Sequence, residues 1–329
     1  MNDVARLANV SNATVSRYLN SKTFVDKEKA QAIEKAVEVL NYKQNKIARF
    51  LKTDKTMQIM MVVPDIENPY YAKMYKTIQK LAYKNDYTVL LFNTDDKKEK
   101  EKEALKLVDE LRVDGLIFCS TNDYPEVIEG LKQVNACIVS SNSFDNFYFD
   151  TVHANKGESV YLGTKHLLDY GHLNIGYAGG TVGSILNKRR KGGYIRALQE
   201  RNISIKEENI FDYSFSIEGG LKAGEYFSKR KDITGVACAN DLIAMGIIQY
   251  YIKNNLKLPQ ELSIVGVDDI EYASYYNPSI TTVKNDPEEF AINAMNLLLS
   301  RLDGTYSGVS REVFSSRRLI IRESTRRKE

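Results

Sequence analysis

From Gln58 onward the chain alternates short apolar runs with amphipathic helical stretches, and this alternation restricts the fold more than any other feature. The runs are "QIMMVVPD", "TVLLFNTD", "GLIFCST", "ACIVSSN", "NIGYAGG", "GVACAND", "SIVGVDD" and "RRLIIRES". Helical patterns lie between most of them, for example around 74–84, 101–111, 161–170 and 242–254. Strands separated by helices in this way predict an α/β fold of parallel, doubly wound sheets. So many strands exceed one compact sheet of typical size, so two similar lobes with a cleft between them are expected.

The first 57 residues have a different texture. "DVARLANV" sets Val4, Ala5, Ala8 and Leu7 on one helical face. "SNATVSRYLN" points Val15, Tyr18 and Leu19 inward behind a Ser11 N-cap, and "DKEKAQAIEKAVEVLNY" carries Ala30, Ile33, Ala36, Val37 and Leu40 at helical spacing. The tight link between the first two helices needs a left-handed residue, which Asn9 tolerates best after glycine. Three helices joined by such a turn predict an all-α helix-turn-helix unit over 1–44, followed by a lysine-rich hinge and linker over 45–57.

Charge separates the same two regions. Residues 1–57 hold 11 Lys/Arg against 6 Asp/Glu, whereas the remainder holds 35 against 37. A basic head on a slightly acidic body suits a head that meets a polyanion. Cys119, Cys137 and Cys238 lie singly in apolar runs, without metal-ligand spacing and in odd number, which favours buried thiols in a reducing compartment. No apolar run approaches the ~20 residues of a membrane span, and the polar start is unlike a signal peptide. The expected location is the cytoplasm.

With these segments in order, the chain resembles the lactose-repressor/galactose-repressor family of bacterial transcription regulators. "DVARLANVSNATVSRYLN" is similar to its N-terminal helix-turn-helix and "NKIARFL" to its hinge helix. "NPYY", "RRKGGY", "ANDLIAMG" and "VGVDD…NPSITTV" resemble its core motifs in sequence order. The resemblance implies a periplasmic-binding-protein-like core of two lobes crossed three times by the chain. The first would hold about 58–156 and 284–314, the second about 157–283 and 315–329. Departures are the start "MNDVA", which lacks the Thr and aliphatic residue that cap and staple the first helix in the family, with Asn9 in place of Gly and Gln44 in place of Pro.

In such a headpiece the first turn of the recognition helix faces base edges. Asn12 and Ala13 occupy that turn, and Arg17 lies one turn further along the same face. Arginine pairs with guanine, asparagine with adenine, and a methyl suits thymine. The hydroxyls of Ser11, Thr14 and Ser16 suit phosphate oxygens. "NKIARFLK" is too short to be a stable helix alone. The resemblance implies that it folds on operator DNA, with Asn45 among the contacts, Ala48 between paired hinges and Leu51 wedged into the minor groove.

In the core, ligand groups are expected at the carboxyl ends of strands. Arg190, Asn240 and Asp268 match effector-contacting positions, Tyr71 an aromatic wall and Phe215 a second one. Together they offer partners for the hydroxyls of a sugar or sugar phosphate, or the carboxylate of a sugar acid. Local structural roles, such as capping by Asp268 or core packing by Tyr71, remain open for each. Ser141 and Asn142 stand where family members commonly carry Asp-Arg.

"GYAGGTVGS" lacks both a dinucleotide fingerprint and a P-loop lysine, and the three histidines and the serines have no nucleophile context. No cofactor, metal or enzymatic activity is therefore expected. The partners implied are operator DNA, a small-molecule effector, and a second copy of the chain in a homodimer or tetramer. A global catabolite-control regulator sensing a phosphorylated carrier protein is the alternative; a sugar-binding protein without a DNA role is a further one.

Overall fold

The computed structural model describes residues 1–19, 25–42, 55–142, 148–153 and 156–328. They fall into two compact units, 1–56 and 57–329.

The small unit contains α1 (Asn2–Leu7), α2 (Asn12–Leu19) and α3 (Lys27–Val39). Val4, Ala5, Ala8, Val15, Ile33 and Ala36 form its buried core, with Tyr18, Leu19 and Val37 packed around them. Two outer positions differ from the sequence reading: Leu7 is 52% and Leu40 41% exposed. Both sit at helix ends, beyond the reach of a core this small. Asp26 caps α3 by accepting the Glu28 amide at 3.0 Å.

The large unit alternates β and α as the apolar runs demand. In chain order it contains β1 (Gln58–Val63), α4 (Pro69–Tyr83), β2 (Thr88–Asn93), α5 (Lys98–Glu110), β3 (Gly115–Phe118), α6 (Pro125–Gln133), β4 (Cys137–Ser140), β5 (Asp150–His153) and α7 (Lys156–Asp169). There follow β6 (Ile175–Gly179), α8 (Ile185–Gln199), β7 (Ile210–Asp212), α9 (Ile217–Ser228), β8 (Gly235–Cys238), α10 (Asp241–Lys253), β9 (Ser263–Asp268), β10 (Thr281–Asn285), α11 (Pro287–Leu302), β11 (Glu312–Phe314) and β12 (Arg317–Ile320).

Two six-stranded sheets result, ordered β11-β5-β4-β3-β1-β2 and β12-β10-β9-β8-β6-β7. Every pairing is parallel except β10 with β12. The chain passes between sheets after β5, again between β10 and α11, and finally between β11 and β12. In the first lobe α11 buries Phe290, Ala294, Met295 and Leu298 against β1, β3 and α4. In the second, α7 and α8 on one face and α9 and α10 on the other enclose β6, β8 and β9. Parallel strands all present their carboxyl ends in one direction, so each lobe offers one loop-bearing edge from which ligand groups can project.

Candidate functional site

In the small unit, the Ser11 hydroxyl accepts the Thr14 amide at 3.2 Å and so caps α2. Asn9 adopts φ 52°, and the Val10 amide closes the turn on the Ala5 carbonyl at 3.0 Å. Asn9→Ala is expected to lower the headpiece's stability by about 1 kcal/mol, because a Cβ without a polar side chain disfavours this conformation. Urea unfolding of the headpiece transition checks this.

Val15 is fully buried, which turns the opposite face of α2 outward. Ser11, Asn12, Ala13 and Arg17 are exposed there; Thr14 and Ser16 are half-buried beside them. Asn12 Nδ2 donates to Asn2 Oδ1 at 2.8 Å. This bond ties the start of α1 to α2, where α1 has no side-chain cap of its own. Asn45, Ala48 and Leu51 lie outside the described residues.

In the large unit a cavity of about 290 Å³ opens between the lobes. Tyr71, Arg190, Phe215, Asn240 and Asp268 all line it. The carboxyl ends of β1 to β4 contribute Asp65, Asp96, Thr121 and Ser141 on one side; those of β8 to β10 contribute Asn240, Asp268 and Asn285 on the other.

Arg190, from α8, is 7% exposed. Its Nη1 donates to the Ala239 carbonyl at 2.7 Å and its Nη2 to Asp268 Oδ1 at 3.2 Å. The Phe215 ring centroid lies 5.6 Å from the guanidinium carbon. Gly180 makes room for that ring, since a Cβ there would come within 2.2 Å of it. Nε of Arg190 has no hydrogen-bond partner among the described residues.

Asp268 also accepts the Asn285 amide at 2.9 Å. Burial raises its carboxyl above the usual range, opposed by Arg190 and Asn285. Its backbone is strained: φ is 109° at Asp268 and 53° at Asp269. Two clamps hold this turn. Buried Asp241 accepts the Ile270 amide at 2.9 Å and the Thr282 hydroxyl at 2.6 Å. From the C-terminal segment, Arg322 donates to Asp269 Oδ1 at 2.7 Å and to the Ile280 carbonyl at 2.8 Å.

Asn240 is at once a wall residue and a cap. Its Oδ1 accepts the Ile243 amide at 2.9 Å at the start of α10, and its Nδ2 donates to the Phe215 carbonyl at 3.2 Å. Tyr71 packs against the core of the first lobe, edge-on to Tyr70 with ring centroids 5.3 Å apart. Burial pushes both phenols above their ordinary range.

Several wall residues escape the sequence reading. Tyr70 packs against both lobes' cores, and the Leu186 amide of the second lobe donates to the Thr121 carbonyl of the first at 3.0 Å. Asn285 ends β10 and Asp96 follows β2, so both obey the same carboxyl-end rule as Asp268, which could have found them.

Behind Thr121, buried Glu101 accepts the Ser120 hydroxyl at 2.6 Å through Oε1, while Oε2 is unpartnered. Burial, together with nearby Asp96 and against the Ser120 bond, raises this carboxyl from 4.5 to about 7. Between those values the folded state keeps a proton that the unfolded chain releases. Stability is therefore expected to fall as pH rises from 4.5 through about 7. Glu101→Gln should remove about 3 kcal/mol of that fall, read from urea midpoints across the range; an unchanged fall would remove Glu101 as its source.

His166 pairs with Thr325 and His172 with Thr234 and the Arg326 carbonyl, away from the cavity. No metal-binding group of His, Cys, Asp and Glu occurs among the described residues. No helix among them is long and apolar enough to cross a membrane.

A helical headpiece with an exposed polar recognition face, joined in sequence to a two-lobed α/β core with a cavity between its lobes, defines a ligand-responsive DNA-binding regulator. Residues 1–45 match the family described as bacterial regulatory proteins, lacI family, and residues 164–325 a periplasmic binding protein-like domain. The chain is 32% identical over 304 residues to the HTH-type transcriptional repressor PurR of Actinobacillus pleuropneumoniae serotype 3 (strain JL03), covering 91% of this chain and 90% of that one. It is also 32% identical over 329 residues to the NTD biosynthesis operon regulator NtdR of Bacillus subtilis (strain 168), covering 99% of each. Among solved structures, the Lac repressor dimer bound to operator and the anti-inducer ONPF superposes with a TM-score of 0.84 at 24% identity, covering 98% of each chain.

The chain belongs to the lacI family of bacterial regulatory proteins. It is a transcriptional regulator with a DNA-binding helix-turn-helix and an effector-binding core, in a family of regulators rather than enzymes.

Proposed function

We propose that the protein is a dimeric repressor whose core closes on a saccharide-type effector, and that closure changes the affinity of paired headpieces for a pseudo-palindromic operator. Ser11, Asn12, Ala13, Thr14, Ser16 and Arg17 are the DNA-contacting residues of the described headpiece, with Asn45, Ala48 and Leu51 added from the hinge. Tyr71, Arg190, Phe215, Asn240 and Asp268 are the effector-contacting ones. The observation that carries this reading is their convergence: side chains from five separate segments meet at one cavity, with aromatic rings beside hydrogen-bonding groups. That mixture suits a ring carrying hydroxyls on its edge and C–H groups on its face.

Selection of operators from random DNA, repeated with a panel of sugars and sugar acids, tests both halves. Enrichment of a two-fold symmetric site whose binding a sugar alters is the expected result. Enrichment of an asymmetric site sinks the dimeric reading, and a panel without effect sinks the saccharide one.

A further inference from the structure

A backbone bond crosses the cleft and joins its two walls. The Leu186 amide, in the opening turn of α8, donates to the Thr121 carbonyl at 3.0 Å. Amides that open a helix have no partner within it, and the opposite lobe supplies this one. Arg190 stands one turn further along α8, on the cavity wall. The bond therefore sets where the second lobe's guanidinium lies relative to the first lobe.

On the first-lobe side, Thr121 belongs to the turn 120–122 that follows β3. Ser120 Oγ accepts the Asn122 amide at 3.0 Å; it lies 3.1 Å from the Asn122 carbonyl and 2.6 Å from Glu101 Oε1. A hydroxyl has one proton to give. With Glu101 ionised, that proton goes to the carboxylate, and the hydroxyl oxygen is left facing the Asn122 carbonyl. With Glu101 neutral, the carboxyl proton can serve Ser120 Oγ, and the Ser120 proton then serves the Asn122 carbonyl. The neutral form thus closes the turn and the ionised form loosens it. Glu101 is 1% exposed, its Oε2 has no partner among the described residues, and burial is the main cause that raises its carboxyl to about 7. Facing it are Asp96, from the loop after β2, and Tyr124, at the entry to α6. Lys98, on its own helix, bonds Glu126 at 3.2 Å.

We propose that Glu101 is a positioning residue of the cleft: protonated, it holds the turn 120–122 so that the Thr121 carbonyl keeps the Leu186 amide, and deprotonated, it releases this bond between the lobes. Parting the lobes brings water to the Thr121 wall and eases the burial that disfavours the charge. Closure is therefore coupled to proton uptake. The closed cleft keeps a proton that the open one gives up, so a ligand of the closed cleft binds more weakly as pH rises through about 7. That consequence rests on the cleft being the effector site; the bond across the cleft does not.

The first test needs no ligand. In full-length protein carrying amide-labelled leucine, the amide proton resonance of Leu186 is followed by nuclear magnetic resonance from about pH 6 to about pH 8. Leu198, buried within the same helix, is the control. The Leu186 resonance is expected to shift upfield as its hydrogen bond is lost, while Leu198 stays in place. In Glu101→Gln, whose side chain is neutral at every pH, Leu186 should stay in place as well. A Leu186 resonance that does not move in the wild type, or that moves equally in the variant, overturns the proposal. If the variant fails to fold, the contrast between Leu186 and Leu198 in the wild type decides. The second test is calorimetric titration with D-glucose, D-galactose, D-mannose and D-ribose. A sugar that binds should do so about tenfold more weakly at the upper pH than at the lower, the scale of one hydrogen bond. It should also take up protons on binding, and Glu101→Gln should show neither effect. Binding by the wild type without proton uptake overturns the proposal. Silence from all four sugars counts against the saccharide reading instead, and the Leu186 resonance then decides the role of Glu101.

Discussion

Arg190→Ala is expected to abolish the response to effector while leaving operator binding in its absence intact. The guanidinium is not a surface charge but the centre of the second lobe's wall. It joins the Ala239 carbonyl at the end of β8 to Asp268 at the end of β9 and lies near the Phe215 ring. Removing it takes a donor off the cavity wall and strands a carboxylate that is 5% exposed. Breaking a buried pair by deleting one partner typically costs about 3–5 kcal/mol. Part of that cost is recoverable by protonation, since burial already raises the Asp268 carboxyl and the variant loses the main opposing charge. The variant's deficit relative to wild type should therefore shrink as pH falls. Effector affinity should drop by at least about a hundredfold, as for a charged hydrogen bond lost together with its geometry. Titration calorimetry and urea unfolding measure the two effects; a variant that still responds to effector at wild-type concentrations would remove Arg190 from the site. Arg190→Lys should not rescue, because an ammonium cannot serve the two acceptors through a fixed planar fork.

Arg17→Ala is expected to have the second large effect, at the other end of the molecule. Arg17 is exposed on the face of α2 opposite fully buried Val15, so truncating it leaves the headpiece core untouched. A bidentate arginine–guanine contact discriminates by about 1–3 kcal/mol. A symmetric dimer would lose it in both half-sites, so specific affinity should fall by about 2–6 kcal/mol. Binding to unrelated DNA should weaken far less, since one positive charge is removed from a broadly basic head. The check is a pair of titrations, one on the selected operator and one on scrambled DNA. Equal losses on both would reassign Arg17 to phosphate contact, and retained specificity would remove it from recognition.

The parts of the fold that could be read from the chain were those whose burial is continuous along it. Runs such as "QIMMVV" in β1 and "SIVGVD" in β9 are buried over nearly every residue, and that pattern has few alternative explanations. Four strands went unread: β7 and β11 have three residues each and no fully buried side chain, β5 reads "DTVH", and β10, though mostly buried, reads "TTVKN" with only one large apolar residue. Pairing with a neighbour, not their own composition, makes them strands. The candidate site divides in the same way. Arg190 and Asp268 stand in recognisable motifs, one on α8 and one at the end of β9, whereas the role of Tyr70 comes from touching two cores at once. Nothing local to "NPYY" distinguishes Tyr70 from Tyr71. Leu7 was misread because helical periodicity gives a direction but not the size of the core lying in that direction.

The Asp268–Asp269 turn bears on how a site like this can change over generations. Its strained backbone is held by Asp241 within the lobe and by Arg322 from the C-terminal segment, while Asn285 holds the Asp268 carboxylate. A substitution on that wall must satisfy several partners simultaneously, so most single steps there cost folding before they alter ligand choice. The facing wall has looser obligations: Asp65 and Ser141 project from separate loops of the first lobe. New ligand preferences should therefore arise there, with the second lobe retained as an inherited template against which the first is varied.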